Sequence, residues 1–167
     1  YFIAEGCYYT KNIKKYFLRL MSFAVASHFA FCFGLGIPFN LMVGSIFNKT
    51  SVLFPLAMAV LLIAVFRNEK INNTVKILTI IIFCLLTFVA DWSSIALMMP
   101  FFLYQHRENT KQQVIDYVIW ISVYAAIYII FIDIFYGILQ FATLLAIPLL
   151  LKYDGTRGQS IGSKWFF

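Results

Sequence analysis

The stretch RNEKINNTVKILTIIIFCLLTFVADW, Arg67–Trp92, carries the pattern that decides the fold. It opens on Arg67, Lys70 and Lys76, runs through an apolar segment at 74–90, and reaches an acidic turn at Asp91. The alternation repeats outward in both directions. Basic gaps hold Lys11, Lys14, Lys15 and Arg19; then Arg67, Lys70 and Lys76; then Arg107 and Lys111; then Lys152, Arg157 and Lys164. The gaps between them hold only Lys49, so twelve of the thirteen Lys and Arg residues fall in every second gap. Positive charge in short loops stays on the cytoplasmic side of a membrane. A soluble domain has no reason to sort its cations by loop parity.

Composition agrees. The chain is 62% hydrophobic and 12% charged, with a mean hydropathy of +0.85. A soluble domain carries about 25% charge, and its core could not absorb this excess of apolar side chains. The net charge of +6 lies in short loops rather than on one amphipathic face, which argues against nucleic acid. Cys7, Cys32 and Cys84 lie in apolar runs, are odd in number and show no C-x-x-C spacing. They read as packing residues, not as a disulfide framework or metal site.

A bilayer crossing takes about 17–25 helical residues. Residues 1–9 read as the end of a truncated helix and 17–36 as an outward span. Residues 37–50, broken by Pro38, Asn40, Gly44 and Asn48, read as an outer loop or interfacial segment. Residues 51–66 return inward, with Ser51 placed to cap the helix. Residues 74–90 go out, and 92–104 return as a short segment containing Pro100, expected to be kinked, tilted or half-buried in protein. Residues 113–133 go out to Asp133, 136–151 return, and 164–167 open a last helix. The expectation is one all-α integral membrane domain over 1–167, a polytopic bundle of about six complete or partial spans with truncated helices at both ends. The chain starts at Tyr1 inside one apolar run and stops at Trp165-Phe166-Phe167 inside another, as a piece of a longer protein would. Loops 10–16, 67–74, 105–112 and 152–164 are expected on the cytoplasmic side.

Ionisable groups inside spans are costly and mark functional candidates. Glu5, Arg19, His28 and Asp116 qualify. Arg19 and His28 point to opposite faces of their helix. Arg19 shares its face with Ser22, Ala26 and Ala30, a lane that admits a neighbouring helix; the alternative is an Arg snorkelling to the head groups. His28 reads either as an interhelical hydrogen bond or as a general base. Glu5 reads as an ion-pair partner of Lys11, Lys14 or Lys15, or as an acid at the mouth of a cofactor site. In Lys152-Tyr-Asp-Gly-Thr-Arg157-Gly158, Arg157 can approach a phosphate closely; the alternative is a plain hairpin. The stripe Asp116, Trp120, Tyr124, Tyr128 reads as packing. No phosphate-binding loop, Ser-His-Asp order or zinc spacing occurs.

Read together, several blocks resemble the TraX family of bacterial integral membrane proteins. They are Tyr1-Phe-Ile-Ala-Glu5-Gly6, Thr10-Lys11-Asn12 and Lys15-Tyr16-Phe17-Leu18-Arg19-Leu20; then Ser27-His28-Phe29 and Ala90-Asp91-Trp92; then Pro148-Leu149-Leu150, Tyr153-Asp154-Gly155-Thr156-Arg157-Gly158 and Lys164-Trp165-Phe166-Phe167. Their order and spacing cover almost the whole chain. The resemblance implies a multi-pass protein of the bacterial plasma membrane, related to pilin acetylation and to membrane acyltransferases. It implies acetyl-CoA as donor and a pilin or cell-envelope amine or hydroxyl as acceptor, with no metal. Lys11, Lys15, Arg19 and Arg157 would then hold the cofactor phosphates, His28 or the family's upstream His outside this chain would act as base, and Glu5 would orient it. Two departures stand out. Tyr9 occupies a position where relatives often carry His. The family's Asp-His pair in an upstream helix, and its Tyr-Pro-x-His stretch after the closing aromatic block, fall outside this chain. A transporter subunit, suggested by the short Pro100 segment, and a structural component of a conjugation or secretion assembly are the alternatives.

Overall fold

The computed structural model describes residues 1–37, 50–90 and 92–152. Within them the chain is helical: α1 (Phe2–Tyr9), α2 (Ile13–Gly34), α3 (Leu53–Arg67), α4 (Asn73–Thr87), α5 (Ile95–Gln105), α6 (Thr110–Phe131), α7 (Ile134–Gln140), a 3₁₀ segment (Phe141–Ala146) and α8 (Ile147–Leu151). The described residues contain no strand, only one isolated bridge between Thr50 and Ala90. Residues 38–49, Asp91 and 153–167, and with them the expected outer segment, the Arg157 loop and the last helix, lie outside the described residues.

The helix starts are set by short polar side chains. Asn12 accepts a hydrogen bond from the Lys15 N–H, Asn72 from Thr74, and Asn109 from Gln112. Each satisfies a backbone donor that the first helical turn leaves open. The caps explain why α2 and α6 begin earlier than hydropathy alone suggests, so that Lys14, Lys15 and Lys111 fall inside first turns. Asn109→Ala should therefore lower stability by about 1 kcal/mol, read as a shift in the unfolding midpoint in detergent.

The expected cap at Ser51 is not formed. The N-cap of α3 is Val52, without a side-chain bond, and the Ser51 carbonyl accepts from the Phe54 N–H. The buried Ser51 hydroxyl finds no partner among the described residues.

The bundle is the expected all-α type, with fewer full-length crossings than six. Three helical runs are long and apolar enough to cross a bilayer: Ile13–Gly34, Thr110–Phe131 and Ile134–Leu151. The other three apolar helices, α3, α4 and α5, have 15, 15 and 11 residues. The last crossing is not a uniform helix. Pro148 lacks the N–H that would bond the Leu144 carbonyl, and that carbonyl instead takes the Ile147 N–H, a 3₁₀ bond.

Helices α3 and α5 form the centre. α3 is apolar all round, as a helix surrounded by others should be, and it packs against α1, α2, α4 and α5. α5 also touches α1, α4 and α6. Leu62, Ile63, Leu97 and Phe101 meet Cys7 and Met58 in the main cluster, and Ala4, Met99, Leu103 and Ile121 form a second one. Seven of the eleven α5 residues are buried, Pro100 among them, so this short helix is enclosed by protein. In contrast, α4 buries only Thr87 and presents Ile77, Leu78, Ile81, Ile82, Leu85 and Leu86 outward.

The basic gaps gather at one end of this bundle. Arg67 donates to the Cys7 carbonyl at 3.0 Å, Arg107 reaches Glu5, and Leu151, just before Lys152, lines the same recess as Arg107. The cation-poor gaps meet elsewhere: Thr50 bridges Ala90, Ser94 donates to the Cys84 carbonyl at 2.8 Å, and Trp92 stacks on Tyr124 with centroids 4.9 Å apart.

Candidate functional site

At the cation-rich end, α5 stops at Gln105 and α6 starts at Thr110. The intervening turn is held by the His106 N–H on the Phe102 carbonyl and the Asn109 N–H on the His106 carbonyl, each at 3.0 Å. This fixes His106 and Arg107 beside α1. Arg107 forks onto Glu5, Nε to Oε1 and Nη2 to Oε2, both at 3.1 Å. Nη2 also donates to the Tyr9 hydroxyl at 2.9 Å. The guanidinium lies 3.5 Å from the Tyr8 ring centroid and 5.1 Å from that of Tyr9. The two tyrosine rings are edge to face.

This is a strong arrangement chemically. Glu5 is only 5% exposed, and a carboxylate removed from water needs both a countercharge and filled lone pairs. A bidentate guanidinium supplies both. Burial works to lower the Arg107 pKa, but the hydrogen bond and charge of Glu5 outweigh it and hold it above its ordinary value, with Tyr9 and Tyr8 adding to the effect.

A second polar pair stands next to the first. His106 Nδ1 lies 2.5 Å from Asp116 Oδ2, and Gln112 Nε2 donates to Oδ1 at 3.3 Å. Asp116 is buried, while the His106 side chain is 40% exposed. One turn away, Gln113 donates to the Leu103 carbonyl at 2.8 Å and ties α6 to α5.

A cavity of about 210 Å³ lies between α1, the start of α6 and the end of α8. Glu5, Tyr9, Arg107, Thr110, Gln113 and Tyr117 give it a polar side, and Leu103, Val114, Ile147, Leu150 and Leu151 an apolar one. Tyr117 is fixed by donating to the Thr143 carbonyl at 3.1 Å. An open depression of about 280 Å³ borders it, lined by Tyr8, Tyr104, His106, Arg107 and Glu108. Arg107 belongs to both.

The residues singled out from sequence are distributed unevenly around this centre. Glu5 is within it, paired with Arg107 rather than with Lys11, Lys14 or Lys15. Lys11, Lys15 and Arg19 are exposed along the start of α2, outside the cavity lining. Ser22, Ala26 and Ala30, on the Arg19 face, are also exposed among the described residues. His28 is half-buried farther along α2, with Cys32 Sγ 3.8 Å from its Nδ1 and its ring tilted against Phe29. The structure does not bring it to Glu5. Arg157 lies outside the described residues. His106, Arg107 and Gln113 were not singled out. The signal for Arg107 was indirect: an acid in an apolar segment without a cation of its own needs one from another segment.

A family model described as TraX protein matches residues 1–167. No curated protein and no solved structure matches the chain.

Proposed function

The chain belongs to the TraX family over its whole length, and from that premise we propose that it takes part in acetyl transfer from acetyl-CoA to an amine or hydroxyl acceptor. The observation that carries this reading is the Glu5–Arg107 pair on the wall of a cavity with one polar and one apolar side.

Acyl transfer from a thioester needs a place for the donor, a base for the acceptor and a positive group for the oxyanion. Arg107 commits Nε and Nη2 to Glu5 and Tyr9, and Nη1 makes no hydrogen bond among the described residues. A cation held this firmly can face a developing oxyanion without reorganising. Glu5 is then the residue that positions Arg107.

The cavity is smaller than the roughly 300 Å³ at which sites for whole small molecules begin. It suits the acetyl group and the neutral end of the pantetheine arm. The phosphates would remain outside, near exposed Lys11, Lys15 and Arg19, with Arg157 as a further candidate. The gathering of basic gaps at this end supports a cytoplasmic orientation in a bacterial plasma membrane, the compartment that supplies acetyl-CoA. The acceptor would be a pilin or another cell-envelope amine or hydroxyl.

The test uses the complete gene product, purified and incubated with labelled acetyl-CoA and a membrane extract. Label on a peptide, glycan or lipid is expected. Changing Lys11, Lys15 and Arg19 together to Gln should raise the KM for acetyl-CoA about tenfold with kcat nearly unchanged, since exposed ion pairs contribute at most about 1 kcal/mol each. Neither binding nor transfer by the wild-type protein would overturn the reading and favour a transporter subunit or structural component.

A further inference from the structure

We propose that His106 is the general base of this transfer and that Asp116 is its positioning residue; the proposal rests on the acyltransferase reading above. The evidence is geometric. The Asp116 carboxylate is buried on α6 and has both oxygens engaged, Oδ2 by His106 Nδ1 at 2.5 Å and Oδ1 by Gln112 Nε2 at 3.3 Å. A carboxylate in that place selects the imidazole tautomer with the proton on Nδ1 and leaves the Nε2 lone pair as the basic site. The ring is 40% exposed, and His106 lines the open depression. A ligand therefore has access to it.

The second part of the argument is adjacency. His106 precedes Arg107 in a turn fixed by two backbone hydrogen bonds, and Arg107 lines both the depression and the cavity. An acceptor entering through the depression meets the base and the cation on consecutive residues, and the same Arg107 also lines the donor cavity. The contrast with His28 is chemical. The polar neighbour of His28 is a thiol, which orients and charges an imidazole far less than a carboxylate does.

The step balances without a further reactant. His106 Nε2 removes the proton from the acceptor N–H or O–H as the acceptor lone pair forms a bond to the thioester carbonyl carbon. The oxyanion that develops faces Arg107. On collapse the C–S bond breaks, the CoA thiolate leaves, and it takes the proton back from the imidazolium. The products are the acetylated acceptor and CoA, and His106 returns to its starting form.

The charged and titratable groups around the ring are Asp116 from α6, Arg107 and Glu108 from the same turn, Tyr8 from α1 and Tyr104 from α5. Asp116 is the one in direct contact. It holds the ring in place, so Asp116→Asn should lower kcat while leaving acetyl-CoA binding nearly unchanged.

The experiment compares the complete wild-type protein with His106→Gln, His106→Gly and Asp116→Asn. His106→Gln should lower kcat by about 10²–10⁴-fold, while acetyl-CoA binding, read directly by calorimetry, stays within about two-fold. Added imidazole should restore part of the activity of His106→Gly, which a merely structural role or a misfolded variant would not allow. Wild-type transfer with His106→Gln unimpaired, or with His106→Gly deaf to imidazole, overturns this assignment and leaves the acyltransferase reading intact. Absence of transfer by the wild type overturns both. NMR of ring-labelled protein gives a readout independent of turnover: an Nδ1–H tautomer at His106, lost in Asp116→Asn, is expected. The Nε2–H tautomer in the wild type would refute the proposal.

Discussion

Arg107→Met should destabilise the protein by roughly 3 kcal/mol, the lower end of what breaking a buried ion pair costs. The low end applies because the Arg107 side chain keeps about a fifth of its surface exposed, while that of Glu5 keeps only 7%. The loss comes less from the missing attraction than from what remains: a buried carboxylate in α1 that has lost its bidentate guanidinium. Pairing the change with Glu5→Gln removes that stranded charge. The double variant should recover most of the unfolding midpoint in detergent, yet stay deficient in acetyl transfer. That split separates the structural part of the pair from its proposed chemistry. Equal midpoints for Arg107→Met and wild type would show that the pair does not hold α1 in place.

Gly137→Ala should cost about 2 kcal/mol, the usual scale for overpacking a close contact. The chain reverses between α6 and α7 over Ile132 and Asp133, whose N–H groups both bond the Tyr128 carbonyl, and Asp133 caps α7 by accepting from the Tyr136 N–H. The two helices then run in close contact. A Cβ on Gly137 would sit 2.3 Å from Ile129 Cγ1, 2.9 Å from Ile129 N and 3.0 Å from the Ala125 carbonyl oxygen. Two of these three are backbone atoms, so no side-chain rotation relieves them and the helices must part. Adding Ile129→Ala should therefore rescue the unfolding midpoint only in part. Gly6 is the useful contrast. The three atoms nearest its virtual Cβ all belong to the outer part of the Tyr16 ring, a side chain rather than backbone. If Gly137→Ala and Gly6→Ala shift the midpoint equally, the distinction between backbone and side-chain obstruction fails.

Much of the helical layout follows from charge parity and apolar run length, because both are local properties of the chain. The starts of α2 and α6 needed the Asn12 and Asn109 caps to be given weight over hydropathy. The 3₁₀ bond just before α8 follows from Pro148, which cannot donate to the Leu144 carbonyl. The site was less legible. Glu5 is visible as an acid in an apolar segment, but its partner lies 102 positions away, in a loop whose cations already had a sufficient explanation as topology signals. Asp116 was visible for the same reason as Glu5. His106 was hidden by its place at a helix end, where a histidine is unremarkable until the fold puts a buried carboxylate against it. Pairings made across such distances depend on how α1, α5 and α6 pack, and periodicity within one segment carries no information about that.

The unequal helix lengths have a consequence for the surrounding lipid. At 1.5 Å per residue, α2 and α6 rise about 33 Å, while α3 and α4 rise about 22 Å; the hydrocarbon layer is about 30 Å thick. Because α4 turns its isoleucines and leucines outward, the acyl chains along that flank meet a wall shorter than they are. Thinning of the leaflets on that flank, relaxing again beside the longer helices, is the expected accommodation. The protein thus wears a lopsided collar of lipid, thin on one side, and short-chain lipids should collect at the thin edge.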